Sequence, residues 1–162
     1  MPKAKTALTF QTIINNLYQE GCHYLQIIPY KKITFKGFHQ QKLLQEIGSN
    51  WEIANNLNVQ DWDKWKEFLL NVVYQSKAGA AWPLTLETWI TFHPNYLKET
   101  NLINDLLDTL PHEVAHAVIY NLDIRWGHNS PHPELTEYLK KRYQEKYGVI
   151  KLKQLLQNWK NK

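Results

Sequence analysis

Four of the seven histidines fall between positions 112 and 132, and two of them stand one helical turn apart. The segment His112-Glu113-Val114-Ala115-His116 has the H-E-x-x-H pattern. On a helix, positions i and i+4 face the same side, so both imidazoles can bind one tetrahedral Zn²⁺. Glu113 lies beside them and can act as a general base on a water that the metal holds. The sequence therefore predicts one zinc ion bound by His112 and His116, and hydrolytic catalysis by Glu113.

A catalytic zinc needs a third protein ligand and leaves its fourth position to water. His128 follows a glycine in a loop that can fold back beneath the motif helix, and we expect it to be this ligand. His132 is the rival, and Glu134 or Glu137 would give a carboxylate ligand instead. The histidine that is not a ligand would be a surface residue or a group that orients the substrate. If His128 and His132 both bound, the site would be closed to water.

A long, largely buried helix is expected to carry the motif. Leucines and valines recur every four residues over 99–122, and further apolar residues widen this stripe. Pro111 cannot donate to the carbonyl of Leu107, so it should kink the helix or begin its second half. The β-branched and aromatic residues at 89–92 predict a strand just before this helix.

The remaining elements are predicted from shorter patterns of apolar residues and from turn-forming residues. The expected helices cover 8–20 with Gly21 as the stop, one or two turns within 39–47, 61–72, and a last helix from Glu134 to 148. Short strands are expected at 24–28 and 33–35. Turns or loops are expected at 49–58, 78–83 and 123–133.

Length and composition limit the class of protein. The chain has 162 residues, 43% hydrophobic and 21% charged, which suits one globular domain and excludes a disordered or collagen-like chain. The single cysteine, Cys22, excludes a disulfide framework and a Cys₄ zinc ribbon. No apolar run approaches the roughly 18 residues of a membrane span, and no signal peptide is recognisable at the start. These observations predict a soluble protein without a membrane partner, cytoplasmic or nucleoid-associated.

The positive charge is concentrated at the C-terminal end. Residues 138–162 carry eight Lys or Arg and one Glu, whereas the rest of the chain has an acidic excess. Such a segment can neutralise DNA phosphates, and Trp159 and the tyrosines at 138, 143 and 147 could stack on bases. The alternative is a solvated helix face above core aromatic residues. We therefore divide the chain into a domain over 1–148 and a basic C-terminal tail over 149–162.

Three segments together resemble the SprT-like zinc metallopeptidases. They are the strand and turn of residues 90–97, the Pro-His-Glu-x-Ala-His helix of residues 110–117, and Gly127-His128. The similarity covers about 69–147. It implies an α+β, zincin-like, helix-rich domain in which a small sheet packs on the buried motif helix. Several members act on proteins that are crosslinked or bound to DNA.

The chain departs from the pattern of this family at three points. Asn129 stands where the family prefers glycine, and His132 stands where an aromatic residue is usual. The cysteine zinc ribbon that many members carry after the protease domain is absent. The chain thus resembles the bare catalytic domain.

The predicted function is a zinc-dependent endopeptidase that acts on a protein or peptide substrate. Strand 88–93 could add an extended substrate as a further strand, or it could be an internal strand of the sheet. An alternative function is a nucleic-acid-binding module whose zinc site is structural or inactive. A zinc-free helical interaction protein is the third hypothesis. The sequence assigns no oligomeric state.

Overall fold

The computed structural model describes residues 8–55, 79–98, 103–122 and 128–160. The described helices are α1 (Phe10–Leu25), α2 (Gln41–Asn55), α3 (Asn95–Lys98), α4 (Ile103–Ile119), α5 (His132–Lys146) and α6 (Gly148–Lys160). The strands are β1 (Lys32–Phe38), β2 (Gly79–Pro83) and β3 (Glu87–Phe92), and a 3₁₀ turn over Tyr120–Leu122 follows α4. Across these ranges no helix combines the length and the apolar character needed to cross a membrane. The prediction of a helix-rich α+β fold is confirmed.

The three described strands form one sheet in the order β1-β3-β2. The central strand β3 is parallel to β1 and antiparallel to β2, with Ile90 opposite Phe35 on one side and Ala81 on the other. Both edges of β3 are therefore already paired. The expectation that strand 88–93 offers a free edge to a substrate is wrong, and its alternative, an internal strand, is confirmed.

The central strand is buried from Thr88 to Phe92, which suits its β-branched and aromatic residues. Ile90 and Phe92 belong to the main hydrophobic core together with α1 and α4. Because side chains alternate along a strand, Trp89 and Thr91 face the other side of the sheet. Thr91 meets the indole of Trp82 there. The sheet thus supports the motif helix on one face only.

The motif helix α4 packs against α1, α5 and β2. Its apolar stripe is buried along its length, as predicted, from Ile103 to Ile119. The helix continues through Pro111, which is itself buried. Residues 120–122 tighten into the 3₁₀ turn, and the start of the predicted segment, 99–102, lies outside the described residues.

Helix α1 differs from the prediction at its C-terminal end. Thr9 caps its start, but the helix passes Gly21 and ends at Leu25. A Cβ at Gly21 would lie 2.8 Å from Cγ2 of Val118, so the glycine permits close packing against α4 and does not stop the helix. Gln26 ends it in a left-handed conformation with φ 56°. The predicted strand at 24–28 is therefore wrong.

Other boundaries also shift. Helix α2 is longer than the one or two turns predicted and continues into the stretch from 49 that was expected to be turns. The segment 79–83 was expected to be a break and is strand β2, whereas the predicted strand at 33–35 is confirmed within β1. Helix α5 begins at His132 because Pro133 is tolerated in the first helical turn. The predicted helix at 61–72 lies outside the described residues.

The last helix, α6, packs against the rest of the described chain. Gly148 begins it with φ 77°, and Leu152, Leu155 and Leu156 are buried in the main core. Trp159 joins an aromatic cluster with ring centroids 5.3 to 6.5 Å from its own. That cluster also contains Phe10, Phe35 and Phe38. Much of the basic C-terminal segment therefore contributes to the core.

Candidate metal centre

The ring nitrogens of His112 and His116 lie close enough together to bind one metal ion. They lie one turn apart on α4, and their Nε2 atoms are 3.2 Å from each other. Two nitrogens bound at about 2.0–2.1 Å to a tetrahedral zinc are separated by about 3.3 Å. The observed spacing fits such an ion without any movement of the helix.

His128 completes a group of three imidazoles. Its ring centroid lies 5.1 Å from that of His112 and 5.0 Å from that of His116. One ligand atom from each of the three residues lies within 4.8 Å of the others. Three imidazoles are a donor set that suits zinc. The structure thus brings together the three residues predicted to be ligands.

The electrostatics favour metal binding by the two helix histidines. Burial, reinforced by the neighbouring histidines, lowers the pKa of His112 to about 4 and that of His116 to about 3. Both rings are therefore neutral at physiological pH and have a free lone pair. A metal ligand must be in this deprotonated form, so little proton release opposes binding.

Glu113 lies beside the imidazole group inside the protein. Its side chain is buried, and one carboxylate oxygen is 3.8 Å from Nε2 of His112. Burial raises the pKa of Glu113 to about 8. A carboxyl group with a raised pKa is a stronger base than an exposed one, as general-base catalysis near neutral pH requires.

His132 lies against the same group but is not among its three ligand atoms. Its ring centroid is 4.0 Å from that of His116, and its Nε2 is 3.1 Å from the backbone carbonyl oxygen of His112. Among the described residues the carboxylate alternatives lie outside the group too. Glu134 is exposed and accepts a hydrogen bond from Ser130, and Glu137 is exposed on α5.

Tyr120 is a residue near the site that the sequence interpretation missed. It lies four positions after His116, and its ring is parallel to the imidazole at a centroid distance of 6.1 Å. Its hydroxyl is 3.4 Å from the carbonyl oxygen of Ala81 in β2. The spacing of positions 112, 116 and 120 was the available signal, since it continues the same helix face.

Asn121, also missed, joins the end of the motif helix to the α1–β1 connection. Its side-chain oxygen accepts hydrogen bonds from the backbone N–H groups of Tyr30 and Lys31, at 3.1 and 3.0 Å. Its amide nitrogen donates to the hydroxyl of Tyr18 at 2.8 Å. Lys31 in turn donates from Nζ to the carbonyl of Leu84, just after β2. Together these hydrogen bonds fix the position of β2 relative to α4.

Comparison with known proteins gives a match to one family. The family model of the SprT-like family matches residues 52–146, which is more than half of the chain and includes every residue of the three-imidazole group. No curated protein and no solved structure matches the chain. The matched segment starts earlier than the similarity at 69–147 noted from the sequence. On the strength of this match, the chain belongs to the SprT-like family.

Proposed function

We propose that this protein is a zinc-dependent endopeptidase. The observation that carries the proposal is the group of His112, His116 and His128 with the buried carboxylate of Glu113 beside it. A closed structural zinc site has four protein ligands, whereas a catalytic site has three. Membership of the SprT-like family supports a metallopeptidase-type activity.

In this proposal each residue has a defined task. His112, His116 and His128 would hold the zinc ion through neutral imidazoles. When bound, zinc supplies a Lewis acid that activates water and polarises a peptide carbonyl. Glu113 accepts a proton from the attacking water and then delivers it to the leaving amine, so that the peptide bond is hydrolysed. The buried position of Glu113 keeps competing bulk water away from this proton transfer.

The proposed substrate path follows β2. This strand pairs with β3 on one side and is at the edge of the described sheet. Its Ala81 carbonyl lies next to the Tyr120 hydroxyl, and Tyr120 stacks on His116. An extended peptide that adds to a sheet edge is held by main-chain hydrogen bonds, which suits cleavage of varied sequences.

The test is cleavage of casein by the purified, zinc-loaded protein. Glu113→Gln removes the base but keeps the shape of the side chain, so one equivalent of zinc should remain bound while cleavage falls by at least about 10²-fold. Glu137→Gln, a matched change at an exposed carboxylate, should leave the rate unchanged. Undiminished cleavage by the Glu113 variant would contradict the proposal.

We also propose a contact with DNA, limited to fewer residues than the sequence suggested. Three basic residues of α5 pair with acidic residues of the body, Lys140 with Asp108, and Arg142 and Lys146 with Glu20. Base stacking is not proposed for Trp159 or Tyr143, since the former joins the aromatic cluster and the latter is fully buried. The exposed lysines of α6, which have no acidic partner among the described residues, are the proposed contacts: Lys151, Lys153 and Lys160.

A further inference from the structure

His132 packs against both helix histidines of the candidate metal centre. Its side chain is almost fully buried, with 3% of its surface exposed. The flat face of its ring lies on His116, with 4.0 Å between centroids and 28° between planes. Its Nε2 is 3.1 Å from the carbonyl oxygen of His112. A carbonyl oxygen can only accept, so this nitrogen carries the hydrogen and has no lone pair for a metal.

The same residue fixes the segment that carries His128. The backbone N–H of His132 donates to the carbonyl of Asn129 at 3.0 Å, which closes a tight turn directly after His128. His128 itself is exposed, so burial does not hold its side chain in place. The buried ring of His132 therefore anchors this turn from its C-terminal side, and the two rings lie 5.3 Å apart.

We propose that His132 is a positioning residue of the metal centre and not a fourth ligand. It limits rotation of the His116 ring by stacking, and it holds the His128 turn against α4 by its hydrogen bond to His112. The proposal rests on the proposed metal site, but its test measures metal binding. If the protein has no peptidase activity, the effect of His132 on zinc binding can still be measured. If the His132 variants bind zinc normally, the test of peptidase activity is unaffected.

The first experiment compares zinc affinities by competition with a chelator. His132→Ala removes the stack and the hydrogen bond, and should weaken zinc binding by about 10- to 100-fold, the usual effect of losing a group that orients a ligand. His132→Phe keeps an aromatic ring but no donor, and should cause a smaller loss. His23→Phe, at an exposed histidine of α1, is the matched control and should bind as the wild type does.

Zinc binding by either His132 variant as tight as that of the wild type would overturn the proposal. Circular dichroism shows whether each variant is folded. If His132→Ala does not fold, the affinity of His132→Phe decides the question.

The second experiment asks whether His132 is a ligand. Co²⁺ replaces zinc in the wild type, and azide is added while the visible absorption is recorded. With three imidazoles the ion has an exchangeable position, so azide should change the spectrum of the wild type and of His132→Phe alike. A wild-type spectrum that ignores azide, together with a response that appears only in His132→Phe, would show four imidazole ligands and overturn the proposal.

Discussion

Burial of imidazole rings lowers the pKa of several histidines among the described residues. They are His112, His116, His132 and His39, although only the first two are proposed to be metal ligands. Each of these rings is harder to protonate in the folded chain than in the unfolded chain. The metal-free protein should therefore lose stability in weakly acidic solution.

His39 is a buried imidazole outside the candidate metal centre. Its Nε2 is 2.8 Å from the hydroxyl of Thr91, and this hydroxyl already accepts a hydrogen bond from the indole of Trp82. The hydroxyl hydrogen is thus available to a neutral His39. Burial, with a smaller effect of His93, lowers the pKa of His39 to about 3.

A pH dependence of stability follows. Between the unfolded pKa of about 6.5 and the folded pKa of about 3, the unfolded chain binds a proton at His39 and the folded chain does not, so falling pH favours unfolding. His39→Gln should reduce the slope of the unfolding free energy between pH 6.5 and 4.5 by up to about 1.4 kcal/mol per pH unit. Urea titrations of the two metal-free proteins measure this. Parallel pH profiles would contradict it.

For individual residues, the spacing along the sequence predicted those features of the site that lie on a single helix. The separation of His112 and His116 on one helix places their nitrogens together, so their proximity could be predicted from the sequence. The relation of His128 to His132 depends on the turn at Asn129 and on packing against α4. That tertiary information is absent from the spacing, which is why both histidines remained alternatives.

The contact between α1 and α4 shows how an element supports the site. Gly21 lets the two helices approach, because a Cβ there would be 2.8 Å from Val118 and 3.5 Å from Leu135 and Leu139. Val118 lies two residues after His116 and is fully buried. This contact therefore determines how closely the motif helix packs against α1.

Gly21→Ala should destabilise the protein by about 1–2 kcal/mol. The gain in helix propensity, about 0.5–1 kcal/mol, is smaller than the cost of overpacking a buried contact, about 1–3 kcal/mol. Thermal and urea unfolding measure the change. In a double-mutant cycle, Val118→Ala makes room for the new methyl group, so the double variant should be more stable than the sum of the single effects predicts. A Gly21→Ala protein as stable as the wild type would contradict the role assigned to this glycine.

Helices and strands were predicted well where the pattern of apolar residues extends over a long segment, and poorly where it covers only a few residues. The stripe of α4 and the β-branched run of β3 were both recognised. Strand β2, with the sequence Gly-Ala-Ala-Trp-Pro, has low strand propensity and forms because it pairs along β3. Pro83 is compatible with it because β2 is an edge strand of the described sheet. Gly21 was misinterpreted because a glycine at a helix crossing and one at a helix end look alike in sequence.

For the molecule as a whole, the basic C-terminal region serves two purposes. Arg142 and Lys146 tie α5 to Glu20 of α1, and the leucines of α6 fill the core. Deleting residues 149–162 would therefore disrupt the hydrophobic core as well as remove positive charge. Substitutions that remove positive charge from the exposed face of α6 and keep its core leucines are the sharper test of DNA binding.

Replacing Lys151, Lys153 and Lys160 with glutamine should weaken binding to a short DNA duplex. Each lost phosphate contact should reduce the slope of log K against log salt by about 0.9. Fluorescence anisotropy at several salt concentrations measures both effects. The matched control makes the same change of net charge at exposed lysines elsewhere, namely Lys32, Lys42 and Lys98. Equal losses in the two triple variants would contradict a contact specific to α6.

The most direct test of the central claim is the location of zinc by anomalous scattering in crystals of the zinc-loaded protein. We predict one ion at about 2.0–2.1 Å from nitrogens of His112, His116 and His128, with the fourth position open to solvent beside Glu113. An ion with His132 or a carboxylate as its fourth protein ligand, or an ion bound elsewhere, would contradict it.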